Sequence, residues 1–441
     1  MLRHLFMGAA SFLAVAFISV PYWIAVQRRD LPDPGDADLQ VVRSSVSPDS
    51  NGFTWFSRAS EAVVWDPVAD DALCSEEWCP DATPGWVADR VAANAAAFED
   101  IERGLRAPVF QFPSLAPGDR SGVDGADEWS QRVSGMYLSL QRLARLSGTA
   151  ARLDARAGRR DRAIERALLG MRMGRALSRA EGVDLIAAMF AAGLQRISAG
   201  SIEAVARAAP LDAAASVAWI DRIETQRWTS DDWRRVWAAE YQFLKRALEG
   251  VETDDAGAAF AVGERGAWAG LLLGWMPRDY LWQPNRTMAL AARKYRERQR
   301  LSALDCRSAD VLRRQTEVPF DRAGVLASPN PVGNILMEIA QPNFDRFDLR
   351  RCGVEARLSL VQVLIATKAF HDTHGGLPES LDALVPEFMT RVPQDALDGE
   401  PIRYSREAAR TWSTGEDFVE ASAHAAADPR NPAEPALSLA F

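Results

Sequence analysis

The sequence predicts a mainly α protein with an N-terminal transmembrane helix, a helical bundle or short solenoid, and a small C-terminal α+β module. Three observations carry this reading. Leu5 to Val26 is an apolar run broken only by Ser11 and Ser19. Residues 127–226 are rich in Ala, Leu and Arg and hold a single proline, Pro210. From Val354 a helix-periodic run leads into His374-Gly375-Gly376, after which prolines and glycines punctuate short segments. The expected division is 1–29 as transmembrane anchor, 30–126 as an N-terminal extracytoplasmic region with a helix and a linker, 127–350 as a helical domain, 351–423 as the C-terminal module and 424–441 as a disordered tail.

At about 1.5 Å per residue, the Leu5–Val26 run spans about 33 Å as a helix, enough for a hydrocarbon core of about 30 Å. Tyr22 and Trp23 suit the interface at one end, and Pro21 would kink or end the helix there. A cleaved signal peptide is the rival reading. Ala14-Val15-Ala16 has the small-x-small form, but it lies inside the apolar run, and Ile24 and Val26 are poor cleavage residues. The run therefore reads as an uncleaved single-pass anchor. Arg28-Arg29 argues for an inside flank, whereas cysteine usage argues for export. The expected location is the bacterial inner membrane with the bulk of the chain in the periplasm.

Cys74, Cys79, Cys306 and Cys352 are an even set, compatible with two disulfides, and four cysteines allow three connectivities. The expected pairs are Cys74 with Cys79 and Cys306 with Cys352, with unpaired thiols as the alternative. No histidine lies near the close pair, so zinc is not expected.

Trp86 to Leu105 reads as a helix, and Pro113 to Asp127 as a Pro/Gly/Asp linker. Met136, Leu140, Leu143, Ala144 and Leu146 form one helical stripe. Small residues from Ala157 to Ala163 would let two antiparallel helices approach closely, as in tetratricopeptide-like hairpins, although no repeat period is evident. Ile164, Leu168, Met171 and Ala176 begin the next helix. Gly182 breaks it, and Leu185, Met189, Ala192 and Ile197 carry on. Gly250 to Gly266 reads as a loop, Arg278 to Leu304 as a charged helix, and Pro329 to Asn334 as a loop.

In the last part, Val354, Leu358, Val361, Leu364, Ile365 and Phe370 mark one buried helix face, and Gly375 stops the helix. Pro401–Ser405 and Arg410–Thr414 read as short strands, with Tyr404 and Trp412 suited to a half-buried sheet. The order of Phe370, Gly375 with Pro378, Leu381 with Leu384, Val392-Pro393, Asp398-Gly399 with Pro401, Tyr404, and Trp412-Ser413 with Gly415 and Asp417 resembles the globular domain of the major pseudopilin of type II secretion. The resemblance covers roughly residues 354–420. In that family the membrane helix directly precedes the module; here about 350 residues come first. The wider chain also resembles a group of uncharacterised membrane-anchored bacterial proteins that join a helical region to such a module. The resemblance implies association with a secretion or pilus-like system. It also raises calcium binding in the acidic loop, but Glu416-Asp417-Phe418-Val419-Glu420 lacks the run of Asp and Gly that supplies six to eight oxygen ligands. No cofactor or metal is expected.

The chain carries 60 acidic and 51 basic side chains, a net charge of −9, which disfavours a general nucleic-acid role. Trp228, Trp233, Trp237, Trp268, Trp275 and Trp282 cluster in sequence. They read either as a ligand or partner groove or as core between helices. Within the apolar run Ala267–Met276, Trp268, Leu272 and Trp275 are a candidate partner surface, against the alternative of a buried helix. His371 and His374 have metal-like spacing but lack a third ligand. Asp231-Asp232 and Asp254-Asp255, near tryptophans, are the best candidates for acid–base hydrolysis of a glycan, against a plainer role as helix caps. Serine-hydrolase, zinc-protease, phosphate-loop and dinucleotide motifs are absent. The expected role is therefore non-catalytic scaffolding or recognition of an envelope protein partner. A periplasmic hydrolase or ligand-binding protein using a Trp-rich cleft is the alternative.

Overall fold

The computed structural model describes residues 29–41, 43–74, 79–112, 123–249, 281–316, 329–339, 344–418 and 435–441. The anchor expected over residues 1–29 lies outside them except for its last residue, and Trp268, Leu272, Trp275 and Asp254-Asp255 lie wholly outside. The chain divides into two units, one of residues 1–40, 241–298 and 317–344, the other of 41–240, 299–316 and 345–441.

The described helices, in chain order, are α1 (Gly52–Glu61), α2 (Ala69–Leu73), α3 (Pro84–Ala93), α4 (Ala95–Arg106), α5 (Val123–Arg156), α6 (Arg160–Ala167), α7 (Leu169–Ser178), α8 (Leu185–Ala208), α9 (Ala213–Gln226), α10 (Ser230–Glu249), α11 (Pro284–Leu301), α12 (Cys306–Thr316), α13 (Pro331–Ile339) and α14 (Phe344–His374). Strands β1 (Arg403–Ser405), β2 (Arg410–Trp412) and β3 (Ala436–Ser438) form an antiparallel sheet in the order β1-β2-β3. The protein is thus mainly helical with a small open C-terminal sheet.

In the larger unit, the stripe from Met136 to Leu146 on α5 is buried as its period requires. Gly158 takes φ +76° in the turn after α5 and has open space around it, so it serves the turn rather than close packing. The close approach expected there occurs elsewhere. A Cβ on Gly170 would sit 2.7 Å from the Leu194 carbonyl oxygen, and one on Gly174 2.7 Å from that of Ala191, so these glycines let α7 lie directly on α8. The hairpin is clamped by Asp154, 2% exposed, which accepts from Arg159 Nε at 2.8 Å and Arg166 Nη1 at 2.7 Å. Among the described residues, α8 alone is long and apolar enough to cross a membrane; 61% of that apolar window is buried. Its packing on α5, α6 and α7 accounts for its apolar character as that of a core helix.

Several local expectations change. The helix read over Trp86–Leu105 is two helices parted at Asn94, whose buried amide bridges to Val64, accepting from its N–H at 2.8 Å and donating to its carbonyl at 3.0 Å. The last residues of the linker read over Pro113–Asp127 belong to α5. The sequence boundary at 350/351 falls inside α14, and one core joins this helix to both its neighbours. Leu358, Val361, Leu364 and Ile365 share a buried cluster with Ile202, Val205 and Ile223 of the helical layer and with Leu384, Phe388 and Ile402 of the C-terminal module. Gly375, at φ +76°, ends α14, donating its N–H to the His371 carbonyl at 2.8 Å.

The tail read as disordered over 424–441 carries β3 at its end. Leu437 and Leu439 are 1% exposed, and burying these alternate side chains offsets the entropy of ordering the segment. Both cysteine pairs, Cys74–Cys79 and Cys306–Cys352, are disulfide-bonded.

In the smaller unit, Asp30 caps α11, its carboxylate accepting from the backbone N–H groups of Asn285 and Arg286, each at 2.8 Å. Burial alone would raise the Asp36 carboxyl. Hydrogen bonds from Lys245 (2.7 Å) and Tyr241 (2.6 Å) outweigh it and hold the group below its usual range. Of the loop read over Pro329–Asn334, only Pro329 and Asn330 are loop; Pro331 to Asn334 start α13, with Pro331 at its first position, where a missing N–H costs nothing.

Candidate functional site

The polar face of α14 runs beside its apolar one. Arg351, Glu355, Ser359 and Gln362 stand four, four and three residues apart, which places them on one side of the helix. They line a cavity of ≈ 700 Å³ together with the α9–α10 junction and the loop from Thr390 to Ala396. That volume is within the range of small-ligand sites.

The α9–α10 junction is rigid for local reasons. Thr229 Oγ1 accepts from the Asp232 N–H at 3.3 Å, and the Asp232 carboxylate accepts from the Thr229 N–H at 2.7 Å, a reciprocal cap at the start of α10. Asp232 is fully buried and also accepts from Arg175 and Arg235. Asp231 is exposed and pairs with Arg234. The Asp231-Asp232 pair is therefore a cap and an ion-pair network rather than an acid–base couple.

This cap sets Trp228 and Trp233 against each other, their ring centroids 4.3 Å apart. Trp233 also meets Phe347 edge-on at 5.5 Å, and the Arg351 guanidinium lies over the Trp233 ring at 5.6 Å. The tryptophan cluster thus divides. Trp228 and Trp233 line the cavity. Trp237 is fully buried against Phe347, and Trp282 packs with Val332 and Leu336 in the smaller unit.

The carboxylates of the cavity are engaged. Arg227 donates to Glu355 at 2.8 Å, to Ser359 Oγ at 3.1 Å and to Gln362 Oε1 at 3.2 Å, and its Nε lies 2.8 Å from Glu224. Glu224 also accepts from Gln362. Asp305 caps α12, accepting from the Ser308 N–H at 2.8 Å. Asp395, fully buried, accepts from Arg403 Nη1 (3.0 Å), Ser413 Oγ (2.7 Å) and the N–H groups of Leu397 (3.0 Å) and Thr414 (2.9 Å).

Some donor atoms buried behind the cavity wall have no hydrogen-bond partner among the described residues. Arg351 is 8% exposed, and its Nε and Nη2 have no hydrogen-bond partner among the described residues. Asp348 approaches Nε only to 4.0 Å, beyond hydrogen-bond reach. Burial pushes the Arg351 guanidinium below its ordinary value against the opposing pull of Asp348, Glu355 and Asp305. The indole N–H of Trp228, a residue also 8% exposed, has no hydrogen-bond partner among the described residues.

His374 stacks on Phe370 at 4.3 Å and its Nδ1 faces the Phe370 carbonyl at 3.2 Å, a helix-end arrangement. Among the described residues no group of three or more His, Cys, Asp or Glu is placed to hold a metal ion. Glu416, in the acidic loop considered for calcium, is raised by burial, which disfavours the charged form a cation would need.

Sequence reasoning nominated Trp228 and Trp233 but missed Arg351. The signal was available in the polar stripe at 351, 355, 359 and 362, which runs beside the apolar stripe of the same helix. Comparisons of the chain with models of protein families, with curated proteins and with solved structures find no match.

Proposed function

We propose that this protein is a membrane-tethered, non-catalytic recognition protein of the bacterial envelope, with its bulk in the periplasm and its binding cleft at Trp228 and Trp233. The observation that carries the reading is the chemical state of the cleft. Its carboxylates are held by arginines, amides and backbone N–H groups, and two stacked tryptophans line its wall. A glycan hydrolase needs two carboxyl groups available to the substrate, and here the carboxylates are engaged in ion pairs or caps. A cavity of this size lined by an aromatic pair suits capture of a ligand instead.

The apolar run Leu5–Val26 supports the tether, and the two disulfides support an oxidising compartment. Association with a secretion or pilus-like system is carried by the order of motifs from Phe370 to Asp417. The long α14 against a small antiparallel sheet agrees with it at the level of architecture.

The test is titration of the purified full chain with the low-molecular-weight fraction of an envelope extract, following tryptophan emission. A saturable change that Trp228→Ala abolishes is expected. An extract that leaves the emission of the wild-type chain unchanged overturns the reading.

A further inference from the structure

We infer that the Cys306–Cys352 disulfide is a redox latch on this cleft: the wall from Ala303 to Asp305 closes only once the bond has formed, so the cleft is assembled in an oxidising compartment and stands open in a reduced chain. What the latch controls rests on the recognition role proposed for the same cleft. Both cysteines adjoin residues that line the cavity, Asp305 before Cys306 and Arg351 before Cys352. The bond therefore joins two walls of the cavity. Neither Cys74 nor Cys79 adjoins a lining residue.

The wall is weakly held by packing. Asp305 caps α12 through the Ser308 N–H at 2.8 Å, so wall and helix order together. α12 has 11 residues and buries only Cys306 and Ala309, while Leu304, Val311 and Leu312 stay exposed. A helix of that length is marginal in isolation, and two small buried side chains return little of the entropy lost on ordering it. The buried cluster at its base is Cys306, Cys352, Ala356 and Leu397, so the bonded pair makes up half of it. Further ties run to the C-terminal module. The Cys306 and Arg307 N–H groups donate to the Ala396 and Leu397 carbonyls at 3.0 and 2.8 Å, and the Arg307 guanidinium donates to the Phe418 carbonyl. The disulfide adds the covalent link to α14.

The latch is set by thiol–disulfide exchange with an oxidising protein disulfide. The thiols of Cys306 and Cys352 give up two protons and two electrons, the S–S bond forms, and the oxidant leaves as a dithiol. Cys306 is 3% exposed and Cys352 0%, so the closed bond is shielded from reductants. The device is set once, as the chain folds, and does not cycle.

Hydrogen exchange on the full chain in detergent tests it, comparing wild type with Cys306→Ala/Cys352→Val, which keeps apolar side chains in place of the bond. Protection of the Cys306 and Arg307 amides and of α12 should fall about tenfold or more beyond any fall in α5 and α8. A fall no larger than theirs makes the bond a general staple and overturns the latch. Cys74→Ala/Cys79→Val should leave that protection as in wild type, and an equal loss there also overturns it. The extract titration then reads the consequence. Where wild-type emission responds, the Cys306→Ala/Cys352→Val chain should not, and an equal response overturns control of binding by the bond. A wild-type chain that does not respond overturns the recognition role, while the exchange result still decides whether the bond closes the wall.

Discussion

Glu240 accepts a hydrogen bond from the backbone N–H of Leu185 at 3.0 Å, so that a side chain of α10 closes the first turn of α8. Asp184 caps the same turn through the Ala187 N–H at 2.8 Å. Burial raises Glu240 to about 7, with the Asp184 charge adding to the rise and the Leu185 bond opposing it. Burial raises Asp184 as well. The folded state therefore holds a proton on Glu240 at a pH where the unfolded chain, near 4.5, has lost it. This contribution to stability is full below about pH 4.5 and is lost as the pH rises toward 7. Glu240→Gln keeps an acceptor for Leu185 and carries no charge. We expect it to raise stability at pH 8 by on the order of 2 kcal/mol, and to have little effect at pH 4. Thermal unfolding at the two pH values checks this, and an equal shift at both would refute it.

Asp154 gathers three arginines at the α5–α6 turn, with Arg162 at 3.4 Å joining Arg159 and Arg166. Arg166 is only 23% exposed and burial holds its guanidinium below the ordinary value. Removing the buried partner strands that charge. Asp154→Ala is expected to cost about 3 kcal/mol, whereas Arg162→Ala, at an exposed position, should cost less than about 1 kcal/mol. Urea unfolding of the two variants compares them directly, and equal losses would contradict this account.

The same contrast between regular pattern and long-range contact explains what the sequence made legible. The helical stripe of α5, the stop at Gly375 and the strands at Arg403 and Arg410 follow from local period and turn chemistry. β3 was missed because Ala436 to Leu439 sits in an Ala- and Pro-rich segment, and its worth as a strand comes from pairing with Thr411 and Trp412, remote in sequence. The turn at Gly158 was read for the wrong reason, because small residues permit either close packing or positive φ and composition does not distinguish them. The cleft was half legible. Its tryptophans are conspicuous in the sequence, but a buried arginine on α14 looks like any other until the distant groups around it are known.

Asp395 binds the C-terminal module from within. It joins the loop before β1 to the residue pair that follows β2, through Leu397, Arg403, Ser413 and Thr414. Asp395→Ala removes the acceptor that Leu397, Ser413 and Thr414 share in a fully buried site, while Arg403 keeps Asp398, and is expected to cost about 3 kcal/mol. Hydrogen exchange provides the local readout. Protection over residues 403–414 should fall first, with α5 and α8 following only on global unfolding. Uniform loss across all helices would argue against a locally organising role.

The disulfide Cys306–Cys352 fastens α12 to α14 across a sequence separation of 46 residues. Closing a loop of that length restricts the unfolded chain by about 4 kcal/mol, against about 2 kcal/mol for the separation of 5 residues at Cys74–Cys79. We expect Cys306→Ala/Cys352→Ala to lower the urea midpoint more than Cys74→Ala/Cys79→Ala does. The same bonds report compartment. In intact cells a membrane-permeant maleimide should label neither pair until a reductant is added, and C-terminal alkaline phosphatase fusions should be active. Asp30 already caps α11 only four residues beyond Val26. An anchor over Leu5–Val26 would therefore hold the smaller unit at the bilayer surface, within reach of lipid-attached spin-quenchers. Rapid labelling of all four thiols without reductant, or fluorescent protein fusions that glow while phosphatase fusions stay silent, would overturn the exported topology.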